Sequence, residues 1–166
     1  MSKPTSVTPS IVTLRLLVQW GVKSLFGSEQ VNLYARLANT EVDYLQELAL
    51  TDTLLAIHRF MEHLHHDLGF QPCDSEGPMA QSVVALALKI GRLATDEELK
   101  MAENTWDELL EKKLVPVIFP HEDCRHIGQW AKEQGYNTSS YLEQPIIKFG
   151  KLNIEIKPQI CQNESL

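Results

Sequence analysis

Residues 50–68 read LTDTLLAIHRFMEHLHHDL, and their apolar positions recur at intervals of 4, 3, 4, 3 and 4. This is the spacing of a helix that buries one side along its whole length. The positions are Leu50, Leu54, Ile57, Met61, Leu64 and Leu68. Asn39, Thr40 and Asp43 offer capping side chains upstream, and Gly69 is a typical helix terminator. The pattern therefore predicts one long helix that begins at these caps and ends just before Gly69.

Five further helices are predicted on either side of this segment. They cover residues 9–26, 28–37, 80–93, 95–114 and 120–134. The first is apolar on nearly every side, apart from a polar stripe that Arg15, Gln19 and Lys23 form at intervals of four residues. Thr95 and Glu98 match a capping box for the fifth helix. A helix as apolar as the first must be covered, either by the core of its own domain or by a partner.

The C-terminal part of the chain has a different character. Residues 115–119 are a short β-like run that contains Pro116, so they predict at most an edge strand. Residues 139–144 predict one further turn, and residues 146–157 alternate like a β-hairpin around a Gly-Lys pair. The expected fold class is mainly α, a five- to six-helix bundle-like domain with a small C-terminal β-hairpin.

Proline, glycine and polar residues set the expected domain organisation. Residues 1–9 and 158–166 are predicted to be flexible ends, and residues 10–157 to form a single helical domain. Within it, residues 69–79 read as a loop between two helical halves, and residues 115–157 as an αβ block.

Composition and charge exclude several classes of protein. The net charge of −7 leaves no broad basic face for duplex nucleic acid, although residues 1–28 carry +3. No apolar run approaches the ~20 residues that a transmembrane helix needs. The three cysteines are odd in number and far apart, which favours a reducing compartment, so we expect a cytoplasmic protein. They are Cys73, Cys124 and Cys161.

The predicted long helix carries a histidine cluster with the spacing of a metal site. His58, Glu62 and His65 lie within roughly 60° of one another on a helix, close enough for two imidazoles and a carboxylate to reach one ion. Such a mixed set suits a divalent transition metal, with zinc or iron the leading candidates. The alternative is a solvated helix face, because the apolar seam occupies the opposite side.

A second pair of candidate metal ligands lies at the start of the last predicted helix. His121 and Cys124 are helical neighbours, and a helix N-terminus lowers the pKa of a thiol. They predict half of a zinc site or a thiolate–imidazole pair. The surrounding charges favour a plain exposed first turn instead, and no second pair with zinc-ligand spacing follows.

The C-terminal block also partly resembles a winged helix-turn-helix, a nucleic-acid-binding arrangement. Residues 130–136 place a glycine after a small residue as such turns do, and the hairpin would be the wing, with Lys148 and Lys151 near its tip. Pro145 shortens the would-be recognition helix, which also lacks the basic side chains that contact phosphates.

The sequence contains no phosphate-binding glycine loop and no nucleophile elbow. We therefore expect a non-enzymatic helical protein that acts through protein–protein interaction or as a regulatory adaptor, with a homodimer as one form of that interaction. The apolar helix 11–26 and the seam Leu50–Leu68 are the two surfaces that favour this reading. The metal-binding protein or metalloenzyme and the nucleic-acid-binding regulator remain its alternatives.

Overall fold

A computed structural model describes residues 9–75, 82–91 and 105–159 of the chain. These residues are mostly helical, with six helices and a four-stranded sheet near the C-terminus. The helices are α1 (Pro9–Leu25), α2 (Val31–Glu47), α3 (Thr51–Leu68), α4 (Val83–Ala87), α5 (Thr105–Lys112) and α6 (His121–Glu133). The strands are β1 (Leu114–Phe119), β2 (Thr138–Tyr141), β3 (Gln144–Lys148) and β4 (Asn153–Pro158).

The mainly helical fold class is thus confirmed in outline, and the bundle-like arrangement remains a prediction. Flexible ends were predicted at residues 1–9 and 158–166. Of these, residues 1–8 and 160–166 lie outside the described residues, whereas Pro9 begins α1 and Pro158 ends β4. The capping box of Thr95 and Glu98 also lies outside the described residues. Within the described ranges, none of the helices combines the length and hydropathy that a bilayer span requires.

The break between α2 and α3 lies ten residues later than the capping pattern predicted. Asn39 and Thr40 are inside α2, where Thr40 Oγ1 donates to the carbonyl of Arg36 at 3.1 Å. The chain turns instead at Ala49, whose φ of 58° is left-handed. Asn39 is retained inside the helix because its side chain accepts hydrogen bonds from α1, a long-range contact that no local pattern signals.

The seam of α3 lies in the core. Leu50, Leu54, Ile57 and Leu64 are completely buried, so this seam is covered by the chain's own residues and does not present a surface to a partner. That part of the expected protein-binding surface was wrong.

α4 is shorter than predicted and crosses α1 at very close range. It ends at Ala87, because Lys89 adopts a left-handed φ of 65° and the amides of Ile90 and Gly91 turn back to the carbonyl of Ala85. A Cβ on Gly21 of α1 would lie 2.3 Å from the carbonyl oxygen of Ala87. The backbones therefore approach to a distance that only glycine permits.

A buried carboxylate joins three helices. Glu41 of α2 is 2% exposed and accepts hydrogen bonds from the Ser82 hydroxyl before α4 and from Trp106 Nε1 of α5, the latter at 2.7 Å. It also accepts from the amide of Val84. Burial, the largest effect, raises the pKa of Glu41 above its ordinary 4.5, although these hydrogen bonds act in the opposite direction.

The sheet has the strand order β1-β4-β3-β2. β3 and β4 form the predicted antiparallel hairpin, in which Ile147 pairs with Ile154. β1 is the predicted edge strand and runs parallel to β4, and its place at the edge accommodates Pro116, which has no N–H to donate. Residues 138–141 form β2 instead of a helical turn, because they pair antiparallel with β3.

α6 packs against β3 and β4, and an aromatic cluster joins this block to α3. Phe60 of α3 is completely buried. Its ring centroid lies 5.0 Å from that of Tyr136, 5.6 Å from that of Phe149 and 5.8 Å from that of Trp130. The helical part and the C-terminal block therefore share one hydrophobic core.

We expect Gly21→Ala to lower the free energy of unfolding by about 1–3 kcal/mol, because the added methyl overlaps backbone atoms of Ala87 that cannot move alone. Gly27→Ala is the matched control, since a Cβ there meets nothing within 4 Å. Urea denaturation followed by circular dichroism measures both. Equal stability of the two variants would contradict the close crossing.

A second prediction concerns the pH dependence of stability. Because the pKa of Glu41 is raised in the folded chain, its stabilising contribution is complete below its ordinary pKa of 4.5 and is lost as pH rises through the raised value. Glu41→Gln cannot titrate. The free energy of unfolding of wild type minus that of this variant should therefore fall as pH rises above 4.5.

Urea titrations at a series of pH values measure that difference. Glu111→Gln, at an exposed position of α5, is the control for changing one carboxylate on the surface. A difference between wild type and Glu41→Gln that stays constant with pH would show that Glu41 titrates alike in both states.

Candidate functional site

The face of α1 that points into the core is formed by Ile11, Leu14, Val18 and Val22, each of which is at most 3% exposed. These residues follow the helical repeat, and with Gly21 beside them they pack α1 against α4 and α3. One side of this very apolar helix is therefore core, as expected. The other sides decide what the helix presents outward.

The predicted polar stripe of α1 is directed largely at α2. Arg15 forms an ion pair with Asp43 and lies 3.5 Å from the carbonyl oxygen and side-chain oxygen of Asn39. Gln19 Nε2 donates to Asn39 Oδ1 at 3.1 Å and to the carbonyl of Ala35 at 3.4 Å. These contacts agree with the rotation of α1 in which Ile11, Leu14, Val18 and Val22 face the core.

As a result, an apolar row remains on the outer side of α1. Val12 is 44% exposed, Leu16 51% and Trp20 63%. The three residues are spaced by four and therefore lie along one side of the helix, and exposed Lys23 continues that side toward the C-terminus. We call Val12, Leu16 and Trp20 the α1 stripe. A contiguous apolar row on a helix surface is typical of a binding site.

The predicted metal ligands of α3 have other contacts. His58 Nδ1 lies 3.2 Å from the carbonyl oxygen of Leu88, and His65 Nδ1 lies 3.4 Å from that of Phe70. Glu62 between them is exposed. Among the described residues, no three His, Cys, Asp or Glu side chains are grouped so that they could hold a metal ion. A metal on His58, Glu62 and His65 stays a prediction.

A polar cluster that the sequence did not reveal surrounds the neighbouring histidine. His63 Nδ1 lies 2.7 Å from the Tyr136 hydroxyl, and His63 Nε2 lies 3.2 Å from Asp67 Oδ2, which also accepts from Trp130 Nε1 at 3.0 Å. Hydrogen bonding from His66 and then from Trp130 lowers the pKa of Asp67. Burial and the nearby Asp67 raise the pKa of Tyr136, so its hydroxyl stays protonated.

No local pattern predicts this cluster, because its partners are far apart in the chain. His63 and Tyr136 are 73 residues apart, and Asp67 and Trp130 are 63 apart. The cluster joins the end of α3 to the end of α6, so it holds the αβ block against the helices.

His121 and Cys124 line an open groove of about 670 Å³ between the start of α6 and the β2–β3 turn. The groove is also lined by Glu122, Arg125 and Glu143. The lowered thiol pKa expected from the helix N-terminus was wrong: the pKa of Cys124 is raised to about 11, first by burial and then by the nearby Asp123. Cys124 is therefore a protonated thiol, and a zinc site on this pair stays a prediction.

The helix-turn-helix interpretation lacks its second helix. Residues 134–145 contain a turn, then β2, then the tight turn at Leu142 and Glu143. At the hairpin tip, Lys151 Nζ donates to the carbonyl of Ala49 at 2.9 Å, so this cation contacts the chain itself. The fold around the predicted wing is therefore a sheet packed on one helix.

Comparisons with protein-family models, with curated proteins and with solved structures gave no match. Function must therefore be inferred from the residues of this chain. Among the candidate sites above, the α1 stripe is a row of three exposed apolar side chains on one helix, against the ordinary burial preference of such residues.

Cys124 should react slowly with iodoacetamide in the folded protein. Its pKa of about 11 against an ordinary 9.0 leaves roughly a hundredfold less thiolate at pH 8 than an unperturbed thiol has. Mass spectrometry of the peptide that carries Cys124 measures the rate, and the same cysteine in urea is the control. Alkylation that is equally fast with and without urea would contradict the raised pKa.

Proposed function

We propose that this chain is a non-enzymatic protein-interaction protein that binds an apolar surface of another protein chain through the α1 stripe. The observation that supports the proposal is the orientation of α1. Its polar residues Arg15 and Gln19 contact α2, while Val12, Leu16 and Trp20 face outward. A surface helix ordinarily directs polar side chains at solvent, so an outward apolar row beside polar contacts with a neighbouring helix favours a binding role.

The side chains of the α1 stripe suit a binding site. Tryptophan is among the residues that contribute most to protein interfaces, because its large ring gains much from burial. Trp20 is 63% exposed, so a partner that covers it gains on the order of 1–2 kcal/mol from this side chain alone. Leu16 and Val12 extend the contact along the helix.

The helix that carries the stripe is closely packed on its inner side. Gly21 crosses Ala87 with no room for a Cβ, and Leu14, Val18 and Val22 are completely buried. A pre-ordered surface loses little conformational entropy when it binds, which leaves more of the burial energy for affinity. An adaptor or regulatory protein needs a surface of this kind.

Charge favours a partner with an acidic group near the end of its apolar surface. Residues 9–28 contain no Asp or Glu, and Lys23 is exposed at the C-terminal end of the stripe. An acidic side chain opposite Lys23 would set the orientation of the partner, because charges at an interface rim act mainly on orientation and association rate.

Site-specific photo-cross-linking in cells tests the proposal. Benzoylphenylalanine in place of Leu16 should give a cross-linked adduct with a protein, because this side chain lies inside the proposed contact. Leu33 of α2, 52% exposed and outside the stripe, is the matched control position. Equal amounts of adduct from positions 16 and 33, or no adduct from position 16, would contradict the proposal.

A further inference from the structure

We infer that the protein partner of the α1 stripe is a second copy of this chain, with the two α1 helices antiparallel about a two-fold axis at Leu16. The inference rests on the proposed function, since it names the partner of the same surface. It is carried by the symmetry of the stripe and by the charges at its ends.

The stripe is self-complementary under such an axis. Because Val12 and Trp20 are each four residues from Leu16, an antiparallel pair brings Trp20 against the partner's Val12 and Leu16 against the partner's Leu16. Trp20, the largest side chain of the row, then packs against Val12, the smallest, at two symmetric positions. A two-fold interface requires this kind of reciprocal match.

The charges at the two ends match in the same register. Under this axis Lys23 lies opposite the first turn of the partner's α1. Within one chain, Arg15 contacts Asn39 and Asp43, and Gln19 contacts Ala35 and Asn39, so a step of four residues forward on α1 is a step of four back on α2.

Continuing that register places exposed Glu47 beside the first turn of α1. Lys23 of one copy therefore faces the partner's Glu47, and the reverse holds by symmetry. In the described part of the chain neither residue forms an ion pair. Within one chain the two lie roughly 20 Å apart along the helices, at about 1.5 Å per residue, so they cannot pair internally.

A parallel arrangement does not have this match. It would bring Lys23 beside the partner's Lys23 and Trp20 beside the partner's Trp20, so like charges and the two largest rings would coincide. Like charges at close range disfavour association, and the antiparallel register avoids them.

The contact is small. Three half-exposed side chains from each copy are fewer than the roughly 20–30 residues a side of a standard stable interface. We therefore expect a dimer that dissociates at micromolar concentration, and the concentration must be varied across that range to observe it.

Sedimentation equilibrium of the full chain over micromolar concentrations is the first test. We expect a reversible monomer–dimer equilibrium that Leu16→Glu abolishes, since the substitution places two carboxylates on the axis. Leu33→Glu, at a similarly exposed leucine outside the stripe, should leave the dissociation constant within about twofold of wild type. Retention of the dimer in Leu16→Glu would overturn the inference.

A charge exchange tests the register. Lys23→Glu and Glu47→Lys should each raise the dissociation constant by about tenfold, because each places like charges together at two symmetric sites. The double variant should restore the wild-type value. Single variants that have no effect, or a double variant that does not recover, would overturn the antiparallel register.

The two proposals can fail separately. A chain that stays monomeric at every concentration, but whose position 16 cross-links to a different protein, refutes the homodimer and supports the proposed function. A monomeric chain with no adduct from position 16 refutes both.

Discussion

The outer surface depends on the orientation of α1, whose buried face packs into the core while its polar side chains pair with α2. Arg15 and Gln19 reach across to Asn39, Asp43 and the carbonyl of Ala35. A helix has one rotation about its axis, so once this row faces α2 the remaining sides are assigned. Ile11 and its companions enter the core, and the α1 stripe is left outside.

The other long-range polar contacts attach the remaining elements to this helical pair. Glu41 binds the start of α4 and the indole of α5 from inside the core, and its raised pKa reflects the loss of water around it. At the far end, Asp67 and His63 hold Trp130 and Tyr136 of the αβ block. Glu41 is the buried group among them, and a buried polar group specifies a single arrangement because each alternative leaves it unsatisfied.

The metal sites predicted on the histidine helix and in the αβ block stay predictions. The thiol of Cys124 is protonated, and the Nδ1 atoms of His58 and His65 each contact a backbone carbonyl. The surface of α1, by contrast, is a stronger candidate in the fold than in the sequence, because this largely apolar helix leaves Val12, Leu16 and Trp20 exposed along one side. Binding through that side is the functional reading that follows from the packing.

Local patterns were enough to identify the helical class, the buried seam of α3, the edge position of β1 and the hairpin of β3 and β4. Each follows from contacts between residues near in the chain or from a single constraint such as Pro116. Contacts between distant segments determine four other features. These are the α2–α3 break, the strand β2, the role of Glu41 and the exposed α1 stripe. Asn39 has the sequence features of a helix cap, but in the fold its side chain accepts hydrogen bonds from Arg15 and Gln19. Likewise, a helix with a narrow polar stripe is predicted to lie in the core, but here the stripe contacts α2 and an apolar row stays exposed. Hydrophobic periodicity shows how much of a helix is apolar. Which apolar face stays exposed is determined by the tertiary contacts of the helix, including those of its few polar side chains.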